Sequence, residues 1–159
     1  MCCYYSKKVT AGLKRRFKRN GGKLTLYAVR QWFPATKTLR SPCRGMIIEK
    51  CGWQRSNRAS PYSGADEQGG QDCPTIAQGK HVLLTKADAE AWIGKWALSG
   101  ERFVILPMRC HERDLIGAGE ARIYKEPLLD LHFSCPSAVF QKAFIYAADF
   151  RRALKGEPA

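Results

Sequence analysis

The stretch "SKKVTAGLKRRFKRNGGKLTLYAVR", residues 6–30, decides the class of fold, because a helical pattern in it is followed directly by a strand pattern. Apolar side chains recur every four residues, at Tyr5, Val9, Leu13 and Phe17. At about 100° per residue these side chains form one narrow stripe, which is typical of a helix that packs one side on a core. The lysines and arginines of the stretch fall outside the stripe.

Both ends of this helix are marked in the sequence. Ser6 is a residue type that caps helix N-termini, and the pair Gly21-Gly22 suits the left-handed turn that ends a helix. The residues after the glycines are rich in β-branched and aromatic side chains, which favours a strand from about Leu24 to Arg30. We therefore expect residues 1–23 to form a basic amphipathic helix that leads straight into a sheet.

The rest of the chain predicts an α+β fold with a mixed or antiparallel sheet of about five strands. Besides one or two strands between residues 119 and 133, strands are expected at Gly45–Cys51, Gly79–Leu84 and Arg102–Cys110. Pro107 indicates that its strand lies at an edge or contains a bulge, since proline cannot donate to a ladder.

Two further helices complete the prediction of about three helices in a single domain, residues 1–159. Thr85 and Asp88 have the spacing of a capping box and begin the second helix. Pro136 is placed for the first turn of a last helix that runs to about Leu154. Residues 52–75 are rich in Ser, Gly, Asn, Asp and Pro and have no periodicity, which predicts a long loop.

Positive charge is concentrated at one end of the chain. The net charge is +13, and residues 1–58 carry fifteen Lys/Arg against one acidic residue, whereas residues 59–159 carry twelve Lys/Arg and thirteen Asp/Glu. No acidic residue occurs among the first 48, although an ordinary solvated surface mixes charges of both signs. This asymmetry favours a polyanionic partner, either nucleic acid or a ribonucleoprotein.

The candidate binding residues follow from this asymmetry. Cations on a helix can lie along a phosphate backbone and release counterions, which makes binding salt-dependent. Trp53 lies near the later arginines and has a ring that can stack on unpaired bases. The candidate nucleic-acid-binding residues are Lys14, Arg15, Lys18, Arg19, Arg40, Arg44, Trp53, Arg55 and Arg58. No motif distinguishes RNA from DNA as the partner.

Two other interpretations of the sequence stay open. The same cations would suit an acidic protein surface, as in a protein–protein inhibitor of a nucleic-acid-handling complex. Alternatively, removal of Met1 would leave Cys2 as an N-terminal nucleophile. Because no further motif supports catalysis, we expect a non-enzymatic protein that needs no cofactor.

The cysteines and histidines predict neither a metal site nor disulfide bonds. Zinc takes Cys and His ligands, but the available candidates lack the tight CxxC or HxxxH spacing; they are Cys110, His111, His132 and Cys135. Seven cysteines, an odd count, and the absence of a secretory signal favour reduced thiols. No apolar run approaches the ~20 residues of a membrane span, so we expect a cytoplasmic protein without a membrane partner.

The segment "GKHVLLTKADAEAW", residues 79–92, resembles segments of small uncharacterised accessory proteins of bacteriophages and mobile elements. The stretches "SPCRG" (residues 41–45) and "GWQRSNRAS" (residues 52–60) share this resemblance, which spans about residues 27–120. It implies neither a fold nor an activity, and no functional residue transfers from it. It implies an accessory protein that acts on nucleic-acid machinery in a host cytoplasm, of the anti-restriction or anti-CRISPR type.

Overall fold

The computed structural model describes residues 2–41, 47–48, 50–56, 75–76, 79–96, 101–123 and 133–157. Within these ranges the helices are α1 (Lys7–Arg19), α2 (Lys86–Trp96) and α3 (Ala147–Leu154), with a 3-10 turn at Glu112–Asp114. The strands are β1 (Cys2–Tyr5), β2 (Lys23–Phe33), β3 (Thr38–Arg40), β4 (Ile47–Ile48), β5 (Gly52–Arg55), β6 (Thr75–Ile76), β7 (Lys80–Leu83), β8 (Phe103–His111), β9 (Leu115–Ile123), β10 (Phe133–Phe140) and β11 (Lys142–Ile145).

The strands form one sheet in the order β5-β11-β8-β2-β7-β10-β9-β1-β6, with β3 paired to β2 and β4 to β3. Every strand pair in the described part of the chain is antiparallel. The predicted α+β class with three helices is therefore confirmed. The predicted number of about five strands is wrong, because several of the strands are only two to four residues long and carry no periodic signal.

The start of the segment predicted as a long loop, residues 52–75, is a strand. β5 occupies Gly52–Arg55 and pairs with β11, and β6 begins at Thr75. Residues 57–74 of that segment lie outside the described residues. Of the predicted strand Gly45–Cys51, the structure describes a two-residue strand at Ile47–Ile48.

The last helix begins eleven residues later than Pro136, the residue predicted to start it. Pro136 lies inside β10, opposite Glu120 of β9, and α3 begins at Ala147. The predicted end at Leu154 is confirmed, but the predicted start is wrong, because β10 continues to Phe140 and β11 follows at Lys142 after a single intervening residue. The break shifts the alternation of apolar residues by one position. The apolar residues of the two strands together therefore have a spacing of three to four residues, which is the spacing of a helix.

Pro107 lies in β8, which is not an edge strand in the sheet order, so the prediction of an edge strand is wrong. Its strand β8 has β2 on one side and β11 on the other. The backbone hydrogen bond from Trp32 to Arg102 sets the phase of the β2–β8 ladder and makes Pro107 and Tyr27 a non-hydrogen-bonded pair. The nitrogen of Pro107 therefore points toward β11, which has already ended at Ile145 at that level.

The sheet has an apolar core on each face. The larger core contains Leu24 and Leu26 of β2 together with Leu13 and Phe17 of α1, and α3 also packs there. The smaller core lies on the opposite face, where α2 inserts the fully buried Trp92. Successive residues of a strand point to opposite faces, so the residues that alternate with Leu24 and Leu26 lie on the face away from α1.

Helix α1 is attached to the sheet by polar as well as apolar contacts. The hydroxyl of Ser6 accepts a hydrogen bond from the Val9 N–H at 3.3 Å, as predicted for an N-cap. The buried hydroxyl of Thr10 donates to the Ala118 carbonyl at 2.9 Å and accepts from the Ala118 N–H at 3.0 Å. The Ala118 carbonyl of β9 also accepts from the Ser6 N–H at 2.9 Å, so the start of α1 is attached to β9 by three hydrogen bonds.

Close contact between β1 and β9 depends on a glycine. Tyr5 pairs with Gly119 in the antiparallel ladder. A Cβ atom at Gly119 would collide with the backbone carbonyl of Tyr4, which cannot rotate away as a flexible side chain does. The glycine thus allows the N-terminal strand to pass close to β9 just before α1 begins.

Candidate nucleic-acid interface

Six exposed cations on α1 form what we call the basic helix surface. Leu13 and Phe17 are 1% and 0% exposed, and they hold the opposite side of the helix in the core. The exposed residues of the basic helix surface are Lys7, Lys8, Lys14, Arg15, Lys18 and Arg19. With about 100° per residue these cations form two adjacent rows on the solvent side of the helix.

The charges of this surface are not neutralised by carboxylates of the described residues. No ion pair in the described ranges involves a cation of α1. By contrast, α2 has the pair Lys86–Glu90, and α3 has the pair Arg152–Asp149. The basic helix surface therefore differs from the mixed-charge surface of an ordinary solvated helix.

The other predicted residues that the structure describes do not join the basic helix surface. Arg40 is half-buried, with its guanidinium 4.6 Å from the centre of the Phe33 ring. Arg55 is exposed on β5, at the far end of the sheet order from β9, the strand on which α1 chiefly packs. Arg44 and Arg58 lie outside the described residues.

A second surface, which we call the aromatic sheet surface, consists of Trp53, His111, Phe144 and Tyr146. The Trp53 ring lies 5.5 Å from His111 and 5.4 Å from Phe144, between ring centres, and Phe144 lies 5.1 Å from Tyr146. All three pairs meet edge to face, a favoured geometry for aromatic rings. Each pair therefore helps to hold its rings in fixed orientations.

This aromatic row is open to solvent. Trp53 is 40% and Tyr146 is 49% exposed, and they are the exposed large hydrophobic side chains in the described part of the chain. Large apolar rings are usually buried, so two of them in one exposed row mark a candidate contact surface.

Cations lie beside the aromatic row. The strand register places Lys23 opposite His111, and Arg109 opposite both Thr25 and Phe144. Lys142 has its ammonium 5.0 Å from the centre of the Trp53 ring and 3.7 Å from a carboxylate oxygen of Asp114. Lys142 is therefore already paired, and Lys23 and Arg109 supply positive charge that has no ion-pair partner among the described residues.

The electrostatic environment keeps His111 neutral. Partial burial, followed by the positive charges of Arg113 and Lys23, lowers the pKa of His111 below its ordinary value of 6.5. Arg109 lowers this pKa further, and the carboxylate of Asp114 opposes the effect. Burial is thus the largest cause of the lowered pKa, and the cations at this end of the sheet add to it.

The two surfaces lie on opposite faces of the sheet. The aromatic row lies on the same face as Lys23 and Thr25, whereas α1 packs over Leu24 and Leu26. A shallow depression of about 540 Å³ lies where α1 ends and β2 begins; its lining residues are Gly21, Gly22, Lys23, His111, Glu112 and Arg113. Thus the end of α1 and the aromatic row share one border.

Of the aromatic sheet surface and the cations beside it, Trp53 and Arg55 are among the residues predicted from the sequence. The missed residues are Lys23, Arg109, His111, Lys142, Phe144 and Tyr146. The pair of aromatics at Phe144 and Tyr146, two residues apart, was an available signal, since alternate residues of a strand share a face. It was not recognised because this segment was assigned to a helix.

The cysteines do not form a metal centre in the described residues. Cys110 lies in the larger core and Cys135 in the smaller one, so the sheet separates them. Burial raises the pKa of each thiol to about 12, with a smaller contribution from nearby carboxylates. His132 lies outside the described residues, and the described ranges contain no group of three potential metal ligands.

Cys2 belongs to the backbone ladder of β1, opposite Arg122 of β9. The next residue, Cys3, is fully buried against Val139.

Among the described residues there is also no helix with the length and apolar character needed to cross a membrane. Comparisons with protein-family models, with curated proteins and with solved structures found no match to this chain.

Proposed function

We propose that this protein is a non-enzymatic nucleic-acid-binding protein that contacts phosphates through the basic helix surface. The observation that carries the proposal is that α1 buries its apolar stripe and exposes six cations that have no acidic partner among the described residues. When lysines and arginines contact phosphates, they release the cations condensed on the nucleic acid, which favours binding at low salt. A ribonucleoprotein would present the same phosphates.

The proposal is tested by reversing four charges on α1. The variant Lys14→Glu/Arg15→Glu/Lys18→Glu/Arg19→Glu keeps Leu13 and Phe17, so the contacts that seat the helix in the core are retained. Binding to a labelled oligonucleotide about 20 residues long is measured by fluorescence anisotropy. We expect the affinity at about 50 mM salt to fall by about two orders of magnitude or more.

A matched control reverses four exposed cations outside α1: Lys37→Glu/Lys95→Glu/Arg151→Glu/Lys155→Glu. This control changes the net charge by the same amount, so it separates a localised surface from a general effect of charge. We expect it to retain most of the wild-type affinity. Equal losses in the two variants would contradict a site on α1.

An acidic protein partner is the competing outcome for the same surface. Capture of partners from a lysate before and after nuclease treatment distinguishes the two: a nucleic-acid partner is lost with nuclease, whereas a protein bound directly to α1 is retained. Retention of one protein, together with no oligonucleotide binding by the pure chain, would replace the proposal by a protein–protein inhibitor.

A further inference from the structure

We propose that the aromatic sheet surface is a stacking platform for the bases of single-stranded nucleic acid. This inference rests on the proposed function, because it names the form of nucleic acid that the protein takes. It adds a second contact region, on the face of the sheet away from the basic helix surface, and a different type of contact.

Contact with bases explains the exposure of these rings better than a contribution to the apolar core does. Trp53 and Tyr146 flank Phe144 in an edge-to-face row, so their positions are fixed by packing before any ligand arrives. Both remain substantially exposed, at 40% and 49%, although each has a large apolar area that a core would bury. Bases of every type have a planar face that stacks on such rings, so this contact needs no specific sequence.

The charges beside the row select a polyanion as the occupant. Arg109 lies on β8, one strand away from Phe144, and Lys23 lies on β2, two strands away, both on the same face as the rings. Arg55 lies on β5, the strand that carries Trp53. A ligand that offers planar rings and phosphates at once satisfies both parts of the surface. An acidic peptide would satisfy the cations but has no general need for a row of aromatic rings.

The type of contact that the aromatic sheet surface offers, and its position, favour single strands over a duplex. In a duplex the bases are stacked on one another and paired, so their planes are not available to protein rings. The depression at Gly21, Gly22 and Lys23 connects the end of α1 to the aromatic row. A flexible single strand can pass from the cations of α1 around this edge to the rings, which a stiff duplex cannot follow.

The experiment compares Trp53→Ala/Tyr146→Ala with the wild-type protein on oligo(dT), oligo(U) and a duplex of equal length. We expect the double variant to lose about 10-fold or more in affinity for the single strands, because stacking contributes separately for each base. We expect its duplex affinity to stay within about twofold, since phosphate contacts dominate there. The two single-stranded probes show whether the platform accepts DNA and RNA alike.

Two further variants control for folding and for general loss of aromatic surface. The variant Trp53→Phe keeps an aromatic ring at this position, so we expect it to bind single strands with most of the wild-type affinity. A loss of affinity caused by a folding defect would instead affect single strands and duplex alike. Phe33→Ala removes a half-buried ring at the other end of β2, about 30 Å from Lys23 at the usual rise of a strand. We expect Phe33→Ala to leave single-strand binding unchanged.

The outcomes separate this inference from the proposed function. If the wild type binds single strands and the double variant binds them equally well, the platform is wrong and the phosphate-binding helix stands. Equal losses on single strands and duplex also overturn the platform. If the wild-type protein binds none of the three probes, both the platform and the proposed function are wrong.

Discussion

His111 lies in a positively charged setting to which a neighbouring strand contributes. Arg109 and Arg113 are near it in sequence, but Lys23 reaches it across the β2–β8 ladder. The combined effect with partial burial is a lowered pKa in the folded chain. The imidazole is therefore neutral near pH 7 and contacts Trp53 as an aromatic ring.

The lowered pKa predicts a pH dependence of stability. Because the unfolded histidine has a pKa near 6.5 and the folded one has a lower pKa, unfolding takes up a proton as the pH falls below about 6.5. The contribution of His111 to stability is present above that pH and is lost on acidification toward its folded pKa. We expect the free energy of unfolding to fall between pH 7.5 and pH 5.5 more steeply in the wild type than in His111→Gln.

Urea unfolding at several pH values measures this difference. Other groups titrate in both proteins, so the difference between the two curves isolates His111. Parallel curves would contradict a lowered pKa of His111 from burial and the neighbouring cations.

At the scale of single elements, α1 and β2 were predictable because their signals are local. The apolar stripe, the Ser6 cap and the glycine pair lie within one continuous stretch, and the structure shows a helix at Lys7–Arg19 followed by a strand at Lys23–Phe33. Gly21 and Gly22 have φ angles of 61° and 74°, the left-handed region that favours glycine.

The aromatic sheet surface was not predictable in the same way. Its residues come from β5, from β8 and from β11 with the residue that follows it, Tyr146, and strand pairing alone brings them together. Pairing register depends on long-range packing, which the spacing within one segment does not reveal. Trp53 is a predicted stacking residue, but the helix predicted from Pro136 covers its neighbours Phe144 and Tyr146, whereas α3 begins only at Ala147.

The capping box of α2 provides a test at the same scale. The Asp88 carboxylate accepts hydrogen bonds from the Thr85 N–H at 3.0 Å and from the Thr85 hydroxyl at 2.7 Å, and the Asp88 N–H donates to that hydroxyl oxygen at 3.0 Å. We expect Asp88→Ala to destabilise the protein by about 1 kcal/mol. In a chain of this size that lowers Tm by about 2–4 °C.

Glu90→Ala is the matched control on the same helix. Glu90 forms only an exposed ion pair with Lys86, at 3.9 Å, and such pairs contribute little. Thermal unfolding monitored by circular dichroism compares the variants. A loss in Glu90→Ala as large as that in Asp88→Ala would argue that the capping hydrogen bonds do not stabilise α2.

At the scale of the whole molecule, the basic N-terminal third divides between the two faces of the sheet. The cations of α1 lie on one face, and Lys23 and Arg55 lie with the aromatic row on the other. The sheet therefore separates Arg55 from the four predicted residues of α1, which are Lys14, Arg15, Lys18 and Arg19. The crossing from one face to the other occurs at the Gly21-Gly22 turn, where α1 leads into β2.

Under the proposed function the two surfaces would contribute differently to binding. The basic helix surface would act through charge and lose affinity as salt increases, whereas stacking on the aromatic row would be much less sensitive to salt. The central claim is that the cations of α1 account for most of the salt dependence of the binding affinity.

The slope of log affinity against log salt concentration measures this salt dependence directly. For the wild type and for Lys14→Glu/Arg15→Glu/Lys18→Glu/Arg19→Glu, it is obtained by titrating a labelled oligonucleotide at salt concentrations from about 50 mM to about 200 mM. Loss of four phosphate contacts predicts a slope in the variant that is smaller in magnitude by about 3 to 4. An unchanged slope in that variant would contradict phosphate binding by α1.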